Sequence, residues 1–134
     1  DAVPAALRQA WWVSWNLDKT VSPSCPGCKD DFSQILPTIA NKYAGDRMAL
    51  WAFDQDEVIR GYLGLQTPAQ MQANVATLVS QRIEPLANMR YFVAPGTSHT
   101  FFGQFQTAKA QGISLKDFVR LQVSDDAGWR STKP

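Results

Sequence analysis

The chain has 134 residues, of which 45% are hydrophobic and 19% charged, and its formal net charge is +1. This composition is typical of one globular domain and excludes a disordered chain or a coiled coil. No cluster of Lys and Arg marks a nucleic-acid surface, and no apolar run approaches the roughly 20 residues that a membrane helix needs. The chain begins with Asp1 rather than Met, so we expect that a leader peptide or a larger N-terminal piece has been removed.

Two helices are predicted in the first third of the chain. Residues 4–15 have apolar side chains at helical spacing, and Pro4 suits the first turn of a helix. Residues 16–29, rich in Pro, Ser and Cys, read as a loop. Residues 31–43 have the apolar stripe of a second helix, in which Pro37 predicts a kink.

The two cysteines, Cys25 and Cys28, lie in the loop sequence SCPGC. A CxxC pair can be a redox site, half of a zinc site or a small disulfide loop. Zinc would need two further ligands, and the chain has one histidine. A redox pair normally starts a helix after a strand, whereas here prolines and a glycine surround the cysteines. We therefore expect a structural disulfide, which favours a secreted or periplasmic protein.

Two nearly continuous apolar runs, residues 47–53 and 89–94, predict strands that are covered on both faces. A short helix is predicted over residues 57–65. A longer helix begins after the N-cap Thr67, and another after Ser114. The apolar stripe of the longer helix contains Met71, Val75, Leu78, Val79, Ile83 and Leu86.

The predicted order is helix, helix, strand, helix, strand, helix, which indicates an α/β fold with parallel strands. Residues 1–46 contain the helices and the cysteine loop, and residues 47–134 contain both strands. Two strands covered on both faces cannot form a stable sheet alone, because two-stranded units are marginal and apolar edges invite association. We therefore expect residues 1–134 to be the C-terminal part of one larger α/β domain, completed by a second polypeptide or truncated from a longer chain.

The only histidine, His99, follows the second predicted strand, and Asp54 follows the first. Catalytic groups of open α/β sheets gather at the carboxyl ends of the strands, where an acid can orient a histidine base. In α/β-hydrolases the chain order is nucleophile, acid, histidine, and this chain has the last two. It has no G-x-S-x-G motif, and Ser98 adjoins His99 too closely to be its nucleophile. The alternatives are a surface histidine and an acidic first turn of a helix, which the helix dipole favours.

Four segments carry a resemblance to a known family. They are AFDQDEVI (residues 52–59), APGTSHTFF (94–102), SWNLDKTVSPSCPGC (14–28) and GISLKDFVRLQV (112–123). Together they resemble the C-terminal portion of the pectin acetylesterase family, the α/β-hydrolase group that also includes Notum-type carboxylesterases. The first is similar to the family's acidic motif at a strand end, and the second to its histidine segment.

The resemblance implies a serine-type carboxylic-ester hydrolase in which Asp54 is the triad acid and His99 the base. Asp56 is the second choice for the acid, because Asp54 follows the aromatic residue at the strand end. Glu57 stands where the family commonly has Gln. The nucleophilic serine and the oxyanion hole would lie in an N-terminal polypeptide of the same enzyme, and no metal or organic cofactor is needed.

Two other functions remain open at this point. The protein could be a non-catalytic member of the same fold that binds glycans through its tryptophans, of which Trp11, Trp12, Trp15 and Trp51 are candidates and core positions the alternative. It could also be a thiol–disulfide protein that uses Cys25 and Cys28. Acetyl esters of polysaccharides, fatty acyl esters and polyesters are all compatible with the ester-hydrolase prediction.

Overall fold

The structure, a computed structural model, describes residues 3–134. Its N-terminal part contains helices α1 (Ala5–Ser14) and α2 (Leu17–Thr20) and a 3₁₀ turn, Pro26–Lys29. The sequence predicted only a loop where α2 lies. These elements pack around a small apolar cluster whose buried members are Trp12, Leu17, Cys25 and Cys28.

Helix α3 (Ile35–Lys42) follows a second 3₁₀ turn, Phe32–Gln34, and begins later than the helix predicted from residue 31. The late start explains why Pro37 is tolerated. Pro37 is the third residue of α3, and backbone N–H groups in the first turn of a helix have no intrahelical acceptor. The missing N–H of Pro37 therefore costs no hydrogen bond, and the expected interior kink gives way to a shorter helix.

Strands β1 (Met48–Phe53) and β2 (Met89–Ala94) form a parallel pair in the register Met48 opposite Met89 to Phe53 opposite Ala94. Both lie where the apolar runs predicted them. The backbone of Thr132 pairs with the other edge of β2, since Val93 N–H donates to Thr132 and Thr132 N–H to Tyr91, each at 2.9 Å. The described chain thus combines helices with a small parallel sheet, which is consistent with the α/β class.

The connection between the strands contains α4 (Glu57–Tyr62), α5 (Pro68–Leu78) and a π-helical turn, Val79–Ile83. A capping box formed by Thr67 and Gln70 begins α5. The buried residues Met71, Val75, Val79 and Ile83 recur every four positions, whereas an α-helix repeats every 3.6 residues. The wider π turn brings Ile83, which is fully buried, back onto the stripe that faces the sheet.

After β2 the chain forms a hairpin, β3 (Lys109–Ala110) and β4 (Ile113–Ser114), and then helix α6 (Leu115–Val123). Gln111 and Gly112 have φ values of 50° and 78°, the positive pair that a type I′ turn requires. The side chain of Ser114 accepts from Asp117 N–H, so the predicted N-cap of α6 is present.

Helices cover both faces of the strand pair, but unequally for the two strands. One face packs against α3, α5 and the π turn, with Tyr91 and Val93 at its centre. The other packs against α6, the hairpin and Trp129, with Phe53 and Phe92 at its centre. β2 is almost wholly buried, whereas β1 is only half-buried. In residues 3–134 none of the helices has the length and apolar character needed to cross a membrane.

Candidate active site

The turns that follow β1 and β2 are joined side by side at the carboxyl end of the sheet. Backbone N–H groups of Asp54, Gln55 and Glu57 donate to the carbonyls of Ala94, Gly96 and Thr97, each at 3.0 Å. The hydrogen bonding between the strands thus continues past their ends and fixes one turn against the other. This arrangement brings the carboxylates of Asp54 and Asp56 and the imidazole of His99 to the same rim.

His99 contacts Asp56. Nδ1 of the imidazole lies 2.9 Å from Asp56 Oδ2. When Nδ1 carries the proton it donates to this oxygen, and Nε2 is then the unprotonated nitrogen. The His99 side chain is 45% exposed, and within residues 3–134 its one hydrogen bond is that of Nδ1 with Asp56. The geometry therefore leaves Nε2 free to accept a proton from a group that approaches the rim.

The second oxygen of Asp56 begins helix α4. Asp56 is the N-cap residue, and its Oδ1 accepts from Val58 N–H at 2.9 Å and Ile59 N–H at 2.8 Å. An N-cap carboxylate also lies favourably at the positive end of the helix dipole. With one oxygen bonded to α4 and the other to His99, the buried carboxylate is held in a single orientation.

Asp54 has a different environment from the one expected of it. The carboxylate is 3% exposed. Its Oδ1 accepts from Gly96 N–H at 2.9 Å, and its Oδ2 accepts from the side-chain amide of Gln72 at 2.6 Å. The carboxylate that contacts His99 is thus that of Asp56, and the expectation that Asp54 orients His99 is corrected accordingly. Asp54 instead holds the loop before His99 against helix α5.

Asp54 faces α5 rather than His99 because side chains alternate between the two faces along β1. Met48 and Leu50 point to the face that α5 covers. Asp54 continues this row of even-numbered residues and contacts Gln72 of α5. Asp56 lies beyond the strand, in the turn. The sequence did hold a signal for the role of Asp56: a helix predicted from residue 57 makes residue 56 its N-cap. The roles of Gln72 and Gly96 have no comparable signal in the sequence.

The loop that carries His99 depends on a glycine and on an aromatic stack. Gly96 has a φ of 137°, and a Cβ atom there would lie 3.3 Å from the ring of Phe53. After His99, the ring of Phe101 stacks on Phe53 at a centroid distance of 4.2 Å. The hydroxyl of Ser98 accepts from the side-chain amide of Gln104 at 3.1 Å.

The other candidates from the sequence lie apart from this rim. Cys25 and Cys28 form a disulfide that is buried at both cysteines. Trp12 is buried, Trp11 stacks on the exposed Trp15 at 5.4 Å, and Trp51 is 42% exposed on β1. The tryptophans are therefore divided between the N-terminal cluster and the sheet.

An open groove of about 570 Å³ lies between α5 and β2, and Asp54, Gln72, Tyr91 and Glu84 line part of it. Burial of Tyr91, together with its hydrogen bond to Glu84, raises the pKa of the phenol. His99 is not among the described residues that line this groove. Among residues 3–134 no group of three or more His, Cys, Asp and Glu side chains could hold a metal ion.

No protein-family model matches the chain, and neither does any curated protein or solved structure.

Proposed function

We propose that the chain supplies the acid and the histidine of a Ser–His–Asp site, and that the complete protein is an exported serine-type carboxylic-ester hydrolase. The observation that carries the proposal is the 2.9 Å contact between Asp56 and His99 at the carboxyl end of a parallel strand pair. The contact is that of an acid which orients a histidine base through Nδ1, on a side chain that is 45% exposed. The strand pair would be the C-terminal part of an α/β-hydrolase sheet.

The serine belongs to a second polypeptide, the N-terminal part of the same enzyme. Nε2 of His99 removes the proton of the serine hydroxyl as the oxygen attacks the ester carbonyl. The resulting imidazolium is stabilised by the negative charge of Asp56, which remains ionised. His99 then returns the proton to the leaving alcohol, and an acyl-enzyme remains. A water molecule, deprotonated by His99 in turn, releases the carboxylate and regenerates the serine.

The resemblance to the pectin acetylesterase family supports an acetyl ester of a polysaccharide as the substrate class, with other carboxylic esters as the broader range. Asp54 keeps a part in this proposal as a positioning residue. Through Gly96 it fixes the loop on which His99 stands, and through Gln72 it ties that loop to α5.

The test is the substitution His99→Ala in the complete, two-part enzyme. We expect hydrolysis of a p-nitrophenyl ester to fall about 10³-fold or more, as for other triad members, while the circular dichroism spectrum is unchanged. Val13→Ala, at an exposed position of α1, is the control and should retain activity. Activity of the His99→Ala enzyme close to that of the parent would refute the proposal.

A non-catalytic glycan-binding protein is the second candidate, because Trp15 and Trp51 each expose a large part of their side chain. A fluorophosphonate probe separates the two functions. Labelling of a serine in the second polypeptide, lost with His99→Ala, supports the hydrolase. Absence of labelling together with glycan binding that Trp51→Ala abolishes supports the alternative.

A further inference from the structure

Helix α4 carries Asp56 at one end and depends on a cap at the other. It has only six residues, and helices of this length are not stable in isolation. At its beginning, Asp56 Oδ1 accepts from the amides of Val58 and Ile59. The orientation of the Asp56 carboxylate, and through it that of His99, therefore depends on the contacts that keep α4 helical.

The C-terminal end of α4 is closed by a glycine in the left-handed conformation. Gly64 has a φ of 68°. Its N–H donates to the carbonyl of Gly61, and the next N–H, that of Leu65, donates to the carbonyl of Arg60, each at 3.0 Å. This pair of hydrogen bonds is a Schellman motif, which provides donors for carbonyls that the end of a helix leaves without an intrahelical partner.

The residues on either side of this cap are held on the rest of the molecule. In a Schellman motif the residue after the glycine commonly packs beside an apolar residue of the helix. Leu65 and Ile59 occupy these two positions, and both pack against the buried cluster on the α5 face of the sheet. The guanidinium of Arg60 also donates to the carbonyl of Gln66 at 3.2 Å. The cap thus fixes the end of α4 on the core.

Gly64 acts in this cap through its backbone alone. Apart from its chain neighbours, none of residues 3–134 would lie within 4 Å of a Cβ atom at Gly64. An L-residue with a side chain is disfavoured in the left-handed conformation, because its Cβ crowds the following carbonyl oxygen. A substitution at this position therefore weakens the cap without disturbing the packing of the core.

We propose that Gly64 is a positioning residue for His99 and that it acts along α4 through Asp56. Gly64 follows Asp56 by eight residues, about 12 Å at the rise of a helix, so its effect must be carried by the helix. Six residues form less than two helical turns. When the last turn unwinds, too little helix remains to hold the first amides on the Asp56 carboxylate. The use of the oriented imidazole in catalysis rests on the proposed function, whereas the positioning itself does not.

Amide hydrogen exchange and ¹⁵N NMR of the imidazole test the proposal on the 134-residue chain. In Gly64→Ala the equilibrium between helical and unwound α4 should move about tenfold toward the unwound form, the cost of the left-handed conformation for alanine. Exchange of the Val58 and Ile59 amides should accelerate by the same factor. The His99 ring should move from the Nδ1–H tautomer toward the Nε2–H tautomer, because Nδ1–H loses its acceptor.

Two matched variants separate the cap from other effects of substituting a glycine. Gly64→Asn should restore exchange and tautomer nearly to those of the parent, since Asn adopts the left-handed conformation readily. Gly61→Ala makes the same chemical change inside α4, where a Cβ atom again has open space and alanine favours the helix. It should slow exchange of the same two amides about fivefold.

The route through Asp56 is tested by making the substitution in an Asp56→Ala background. There Gly64→Ala should cause no further change in the tautomer of His99, because the contact that it acts on is already absent. A tautomer shift of equal size in both backgrounds would overturn the proposal. Parent-like exchange and tautomer in Gly64→Ala, or equal effects of Gly64→Ala and Gly64→Asn, would overturn it as well.

The folding of Gly64→Ala is monitored in β1. Faster exchange at Leu50 and Ala52 would report that the substitution unfolds the whole chain. Gly61→Ala then decides, because it stabilises α4, and unchanged exchange at residues 58–59 in that variant would overturn the proposal.

In the complete enzyme Gly64→Ala should lower kcat with little change in KM, because it acts on the base rather than on substrate binding. A shifted tautomer in the chain with unchanged kcat in the enzyme would refute the hydrolase and leave the positioning role of Gly64 in place. The two failures are therefore distinguishable.

Discussion

Asp54 and Asp56 are two residues apart, and both are buried carboxylates at the same strand end. The two carboxylates have different hydrogen-bond partners. Asp54 accepts from a backbone amide of the histidine loop and from α5, and so acts on the position of the loop. Asp56 accepts from α4 and contacts the imidazole, and so acts on the orientation of the ring. Substitutions at the two positions should therefore have different signatures.

Asp56→Asn should change the tautomer of His99 with little change in stability. Asn is as good an N-cap as Asp, so its oxygen can still accept from α4. Its NH₂ group then faces Nδ1 and donates to it, which moves the ring proton to Nε2. Since the chain has a single histidine, ¹⁵N chemical shifts of the imidazole report this directly. In the complete enzyme we expect kcat to fall about 10⁴-fold, the cost of the wrong tautomer in such a triad.

The matched control for that experiment is Asp46→Asn, which makes the same chemical change at an exposed aspartate after α3. It should leave the tautomer as in the parent chain. A tautomer that is the same in Asp56→Asn as in the parent would contradict the orienting role of Asp56.

Asp54→Ala should lower the free energy of unfolding and leave the tautomer of His99 unchanged. The substitution leaves the Gly96 N–H and the Gln72 amide without their acceptor. Because Gly96 is half-buried and Gln72 exposed, water can partly replace it, and we expect a loss of about 1 kcal/mol. Urea denaturation of the chain measures the loss. A shifted tautomer with unchanged stability would show that Asp54, rather than Asp56, governs the ring.

At the scale of elements, the sequence predicted well where apolar patterning was strong. Both strands, the N-cap of α5 and the N-cap of α6 lie where the pattern placed them. The hairpin of β3 and β4 was missed because each strand has two residues, too few to show alternation. The π turn could not be predicted either, since four-residue spacing fits an α-helix over a short window.

Asp31 links the N-terminal elements to the end of α5. Its Oδ2 lies 2.6 Å from Arg82 of the π turn, and its Oδ1 accepts from Ser33 N–H at 3.0 Å. Burial of the Asp31 carboxylate acts to raise its pKa, but the hydrogen bonds from Ser33 and Arg82 outweigh burial and hold the pKa below its ordinary value of 3.8. The ionised form is therefore stabilised by folding.

This shift predicts an acid-sensitive contribution to stability. The contribution is complete above the unfolded-state pKa of Asp31 and is lost as pH falls through the lower, folded-state pKa. Asp31→Asn should reduce the free energy of unfolding at neutral pH and flatten its decline in acid, as measured by urea denaturation at a series of pH values. Asp30→Asn, at the exposed neighbouring residue, should follow the parent chain. Parallel acid profiles for Asp31→Asn and the parent would contradict the assignment.

At the scale of the whole molecule, the placement of the site at one rim followed from the order of strands and helices alone. Residues that end adjacent parallel strands must meet, so Asp54, Asp56 and His99 could be grouped from the sequence. Which aspartate contacts His99 could not be settled that way, because it depends on the turn between Phe53 and α4. The position of the nucleophile could not be predicted from this chain, because the hypothesis places the nucleophilic serine on another polypeptide.

The disulfide is the one covalent constraint seen within residues 3–134. Cys28 is fully buried and Cys25 nearly so. The Cys25→Ser, Cys28→Ser double variant should lose about 2 kcal/mol of stability, the loop-entropy value for a four-residue loop. Dithiothreitol should leave the disulfide of the parent chain intact without urea and reduce it in urea, as followed by thiol alkylation and mass spectrometry. Rapid reduction of the folded chain would instead favour the thiol–disulfide function.

The two sets of contacts that Asp56 makes also require two separate segments to fold before His99 is oriented. Its Oδ1 needs the first turn of α4, and its Oδ2 needs the histidine loop that the continued hydrogen bonding holds against residues 54–57. A nascent chain in which either segment has not yet formed carries an imidazole without its acid. Under the proposed function, His99 is therefore an oriented base only when both segments have folded.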